Sequence, residues 1–169
     1  MIALGIVAML TALMVFVITP RMDWSAASKP GTLETRIAEI VRERWISIHS
    51  FQQLNPLPPS EGNLARGRDQ YNRHCAICHG LDGSGRNRLH AVFHPPVARL
   101  TGDTQRMSDG EIYFVVSSGI ALSGMPAFGA GHPAEEIWKM VLWVRHLPNL
   151  SSTERNEIER RTSESTGMR

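Results

Sequence analysis

Five consecutive residues, Cys75-Ala76-Ile77-Cys78-His79, carry the most specific chemistry in the chain. Two thiols at this spacing lie one helical turn apart, so each can form a thioether with one vinyl group at the edge of a porphyrin. The histidine that follows is then directed beneath the iron. Its neutral imidazole can bind metal through one nitrogen while the other donates a hydrogen bond to a backbone carbonyl, fixing tautomer and ligand strength. The pattern predicts a single covalently attached haem c. Two other uses of paired cysteines fit less well. A dithiol redox pair sits at a strand-to-helix junction, and no strand pattern precedes Cys75. A closed zinc site needs four ligands, and these are the only two cysteines, too close together to form a disulfide framework.

The elements around this motif read as helices. Residues 2–19 carry no charged side chain and are followed by Pro20 and Arg21. As a helix this run reaches roughly 27 Å, just enough to cross a hydrocarbon core, and it predicts a membrane-spanning anchor. The competing reading is a cleaved signal peptide, for which Ser25-Ala26-Ala27 offers small residues; the length of the run and the lack of a basic stretch before it favour the anchor. The basic residues Arg21, Lys29 and Arg36 would hold the following segment in the cytoplasm, whereas covalent haem attachment demands the opposite side. From Thr32, the residues Leu33, Ile37, Ile40, Val41, Trp45 and Ile48 recur at helical spacing. Glu34, Arg36, Glu39, Arg42 and Glu43 stand on the other side. This amphipathic helix either folds back on its own domain or docks on another subunit or lipid surface. Asn55-Pro56-Leu57-Pro58-Pro59-Ser60 reads as a stiff, extended linker.

The resulting organisation is all-α: an anchor or uncleaved signal over 1–20, amphipathic helix and linker over 21–60, a haem domain over 61–150, and a charged C-terminal helix and tail over 151–169. Ser151 or Ser152 caps that last helix. With 169 residues and a net charge of +2, the chain has room for one modest domain plus appendages, and no basic block interleaved with aromatics points to nucleic acid. Gly80-Leu81-Asp82-Gly83-Ser84-Gly85 lacks the lysine and Ser/Thr of a phosphate-binding loop and reads as a turn.

With these motifs in place, residues 62–150 resemble the class I, monohaem cytochrome c family, in its membrane-anchored bacterial form. Gly67 and Tyr71 precede Cys75 by eight and four residues, where that family places the glycine and aromatic residue of its first helix. Glu135 to His146 looks like its last helix, with Met140 and Trp143 at the crossing. Ser123-Gly124-Met125-Pro126-Ala127-Phe128-Gly129 looks like its methionine loop, which implies His79 and Met125 as axial iron ligands. In that family a proline carbonyl accepts the proximal histidine's hydrogen bond; Pro95 or Pro96 would be the match. His49, His74, His90, His94, His132 and His146 read as surface or hydrogen-bonded residues, His94 being the nearest rival ligand. Arg99 or Arg106 could meet the haem propionates.

The function implied is electron transfer without catalysis of its own, by a single-pass protein of a bacterial inner membrane with its haem domain on the periplasmic side. The partners implied are a quinol-oxidising complex on one hand and a terminal oxidase, reductase or reaction centre on the other. A fixed haem subunit of a larger respiratory complex is the alternative, followed by a haem enzyme or gas-binding domain; a filled sixth position argues against the last. Residues 62–150 hold nine Lys/Arg against seven Asp/Glu, so strong electrostatic steering is not expected.

Overall fold

The computed structural model describes residues 2–19, 25, 28, 30–86, 92–93 and 95–167. Expectations that rest on Pro20, Arg21, Ala26, Ala27, Lys29, His90 or His94 fall outside these residues. The chain divides into two units, Met1–Pro30 and Gly31–Arg169. All regular elements among the described residues are helices, as the sequence predicts.

In the first unit, α1 spans Ile2–Ile18. Its apolar side chains, among them Leu4, Leu10, Leu13 and Phe16, are exposed. Thr11 folds its hydroxyl back onto the Val7 and Ala8 carbonyls, so it presents no unsatisfied polar group. At 17 residues the helix reaches about 25 Å. No helix among the described residues is long and apolar enough to cross a membrane.

In the second unit, α2 (Thr32–His49) uses only its last turns for packing. Ile46 is buried, and the Trp45 ring lies 4.8 Å from that of Phe114 on α5 (Asp109–Ser118). Leu33, Ile37, Ile40 and Val41 on the earlier turns remain exposed. The amphipathic pattern thus has two parts, one folded back and one uncovered.

The proline-rich stretch that follows has no regular secondary structure and is pinned. Asn55 donates its backbone N–H to Asp109 (2.9 Å) and its side-chain amide to the Trp138 carbonyl (2.8 Å). The Gly110 N–H bonds the Gln53 carbonyl. Arg145 completes the clasp, donating to Asp109 at 2.7 Å and to the carbonyls of Gln105 and Met107. Pairing the half-buried Asp109 and Arg145 with each other, and satisfying their remaining groups, is what makes their burial tolerable.

Helix α3 (Glu61–His74) starts at Ser60, whose hydroxyl accepts the Asn63 N–H, and crosses α6 (Ala134–His146). The crossing is set by Gly67: a Cβ there would stand 2.0 Å from the Lys139 carbonyl oxygen and 3.2 Å from Trp143 Cβ. Only a residue without a side chain lets the two backbones approach this closely. Around it Tyr71, Ile137, Met140 and Val141 are fully buried. Each such apolar side chain contributes about 1.5–3 kcal/mol relative to exposure. Acidic residues in the first turn of α6, Glu135 and Glu136, and basic residues in its last, Arg145 and His146, suit the helix dipole.

Helix α5 opens with a reciprocal cap in which Ser108 and Glu111 each accept the other's backbone N–H. The final helix α7 (Ser152–Gly167) is capped by Ser151, paired in the same reciprocal way with Glu154. Its Ile158 packs against the core.

Candidate functional site

Helix α3 ends at Cys75, and the single turn α4 (Ala76–His79) continues from it. The Cys78 and His79 N–H groups both bond the Cys75 carbonyl, at 3.1 and 2.9 Å. That geometry puts the two thiols on one turn, with His79 at its end. Neither cysteine is in a disulfide. Burial, reinforced by neighbouring Cys78, pushes the Cys75 thiol up to about 12, so it is protonated at neutral pH. The Tyr71 hydroxyl donates to the Gly80 carbonyl at 2.7 Å, tying the far end of the turn back to α3. Burial, with Cys75 and Asp82 nearby, pushes that phenol well up, so it remains a donor.

The His79 ring is anchored. Its Nδ1 lies 3.0 Å from the Ala98 carbonyl oxygen. A carbonyl only accepts, so Nδ1 carries the proton and Nε2 keeps its lone pair. Burial holds the imidazole below its ordinary range despite the opposing effect of this hydrogen bond. The ring is therefore neutral at pH 7, the form that binds iron. The acceptor corrects the sequence expectation: it is Ala98, not Pro95 or Pro96, both of which are exposed and lie upstream of it. The register is set by the glycine turn. The Gly85 N–H bonds the His79 carbonyl, and the Leu100 N–H bonds the Gly83 carbonyl. Gly85, at φ +69, leaves room for the Val97 and Ala98 carbonyls, which would stand 3.1 and 3.2 Å from a Cβ.

Met125 stands in the loop between α5 and α6, partly buried and packed against the same core cluster as Cys75. The loop is held by its own polar groups. Ile120 N–H bonds the Met125 carbonyl, Phe128 N–H the Val116 carbonyl and Gly129 N–H the Ser117 carbonyl. The Ser123 hydroxyl accepts the Met125 N–H (3.1 Å) and donates to the Ile120 carbonyl (2.8 Å). The Phe93 ring lies against Gly124, so closely that a Cβ there would meet it at 2.3 Å. Beside this loop, Phe128 and His132 meet His74, the last residue of α3.

Two thiols on one turn, a neutral anchored imidazole and a thioether loop form a donor set that suits a covalently bound haem. Arg106 forms a solvated ion pair with Asp103 at 2.5 Å, and Arg99, next to Ala98, is exposed. Ala98 and Phe93 are the participants that sequence reading missed. Every residue offers a carbonyl, so nothing in the side chain at position 98 signals its role.

Residues 62–144 match the family model described as "Cytochrome C oxidase, cbb3-type, subunit III". Over these residues, just under half of the chain, the sequence is similar to a cytochrome c domain. Such a domain carries haem-based electron transfer. Among solved structures, the chain is similar to a chain of the Kuenenia stuttgartiensis reducing HAO-like protein complex. That similarity has 23% identity and a TM-score of 0.48, over 54% of this chain and 46% of that one. The chain thus spans less than half the length of that structure. No curated protein matches the sequence.

Proposed function

We propose that this chain holds one haem c, with thioether bonds from Cys75 and Cys78 and with His79 and Met125 as axial iron ligands. It passes electrons between redox proteins at a bacterial inner membrane. The observation that carries this reading is the His79 imidazole, fixed by the Ala98 carbonyl with Nε2 unprotonated, at the end of the two-thiol turn. Bound haem supplies a one-electron ferric/ferrous couple. The chain's own residues do the rest. His79 is kept neutral and correctly oriented, and the hydrogen bond at Nδ1 raises the donor strength of Nε2. The soft Met125 sulfur favours the ferrous state and raises the potential, which suits an acceptor of electrons from quinol-level donors.

The uncharged run at 2–19 supports membrane attachment, and the requirement for covalent haem attachment, not the run itself, supports a haem domain on the periplasmic side. Tethering confines the search for a partner and raises its local concentration, so a weak contact suffices. A second reading, a fixed subunit of a terminal oxidase, is favoured by the description of the matching family and by the uncovered residues Leu33, Ile37, Ile40 and Val41 on α2. Detergent-solubilised protein that migrates with large partners supports the subunit; a free monomer supports the shuttle.

The decisive test is the visible spectrum of oxidised and reduced protein from a host competent in cytochrome maturation. The wild type is expected to be coloured and to bind carbon monoxide poorly. Met125→Ala keeps the colour and gains carbon monoxide binding. The double variant Cys75→Ala plus Cys78→Ala loses both colour and the folded domain, because a core of this size needs the cofactor's apolar face. A colourless wild type with two reactive thiols overturns the proposal.

A further inference from the structure

His74 and His132 face each other outside the set of residues assigned to the haem. Their Nε2 atoms stand 3.3 Å apart, with ring centroids at 4.8 Å and planes nearly perpendicular at 81°. His132 Nδ1 lies 3.2 Å from the Phe128 carbonyl oxygen. Because the carbonyl can only accept, the proton sits on Nδ1, and the lone pair of His132 Nε2 is directed toward His74. A backbone carbonyl on the far nitrogen is the arrangement that orients metal-bound histidines. The Phe128 ring packs at 5.8 Å from each imidazole, restricting both.

The separation of the two nitrogens is informative. Zinc–nitrogen bonds of about 2.0–2.1 Å at a tetrahedral angle place two ligand nitrogens roughly 3.3–3.4 Å apart. The same separation is within hydrogen-bond reach, with His74 Nε2 donating to the His132 Nε2 lone pair when no metal is bound. Loss of the shared proton would leave the two nitrogens already spaced as two ligands of one tetrahedral ion are spaced.

We propose that His74 and His132 form a binding site for one borderline transition-metal dication such as Zn²⁺, with water completing the coordination. Among the described residues no group of three or more His, Cys, Asp or Glu side chains is placed to hold a metal. With two protein ligands, affinity falls far below that of a four-ligand structural site, to about 1–100 μM. The two ligands lie on separate elements. His74 ends the helix that leads into Cys75, and His132 follows Met125 by seven residues. A bound ion would join the thiol-bearing turn to the methionine loop. The site itself does not depend on what Met125 ligates.

The test is calorimetric titration of the full-length, haem-loaded protein with Zn²⁺. One equivalent is expected to bind, weakened at least about tenfold by His74→Gln and by His132→Gln, and unchanged by His49→Gln. Zinc-edge X-ray absorption of the wild type, which does not rely on any variant folding, is expected to show two imidazole nitrogens at about 2.0 Å. The inference fails if the wild type takes up no zinc below about 1 mM. It fails equally if both glutamine variants bind as the wild type does, or if the absorption spectrum shows fewer than two imidazoles. The visible spectrum of the same samples reports the haem reading separately, so the two proposals can fail independently.

Discussion

The thiol-bearing turn and the methionine loop are built by opposite means. The turn grows from the α3/α6 crossing, where Gly67 brings backbone against backbone and Tyr71, Met140 and Val141 are sealed from water. The loop buries little, since Ala121, Leu122, Gly124, Pro126 and Ala127 are all exposed, and hydrogen bonds through Ser123 and the end of α5 give it its shape. The contrast teaches where stability and tuning reside. A packed crossing resists volume change and fails cooperatively, whereas a hydrogen-bonded loop can be loosened one bond at a time while the fold persists.

The largest break in that comparison is expected from Gly67→Ala. A Cβ 2.0 Å from the Lys139 carbonyl forces the helices apart, at a cost of about 3 kcal/mol in urea unfolding. A stability change below about 1 kcal/mol would mean that the crossing is far more compliant than its packing suggests. Ser123→Ala is the matching change in the loop. It removes two hydrogen bonds for about 1 kcal/mol, and its clearer signature is increased carbon monoxide binding by the reduced protein with helicity unchanged. If Ser123→Ala unfolded the domain as Gly67→Ala does, the two regions would not be distinct.

The smallest effect sharpens the comparison at the far end of α6. Burial raises Glu154, but hydrogen bonds from the Ser151 N–H and hydroxyl and from His146 outweigh it and hold the carboxyl below its usual range. A carboxylate depressed in the folded state stabilises above its unfolded value and loses that contribution as pH falls through the folded one. Acidification below about pH 4.5 should therefore release α7 first, as a small loss of helicity ahead of the main transition, and Glu154→Gln should abolish that early step.

Much of this was readable in advance, for physical reasons that differ by residue. Cys75, Cys78 and His79 act through side-chain chemistry at fixed short spacing, so a linear reading finds them. Gly67 and Tyr71 were placed by resemblance, and the structure gives the cause as backbone contact. The proline-rich stretch was legible as irregular but not as clasped, because Asn55 finds Asp109 54 residues away and Trp138 83 residues away. Such pairs leave no local pattern. The same holds for His74 and His132, 58 residues apart, and for the Ala98 carbonyl.

That the acceptor of the His79 proton is main chain bears on how this sequence can drift. No substitution at position 98 that keeps the backbone path deletes the acceptor, so selection can leave the identity of that residue unattended. The vulnerability moves thirteen residues upstream to Gly85, where any side chain would crowd the Val97 and Ala98 carbonyls and turn the acceptor away from the ring. In a set of homologues, position 85 should vary far less than position 98, the reverse of what a tally of direct histidine neighbours would suggest.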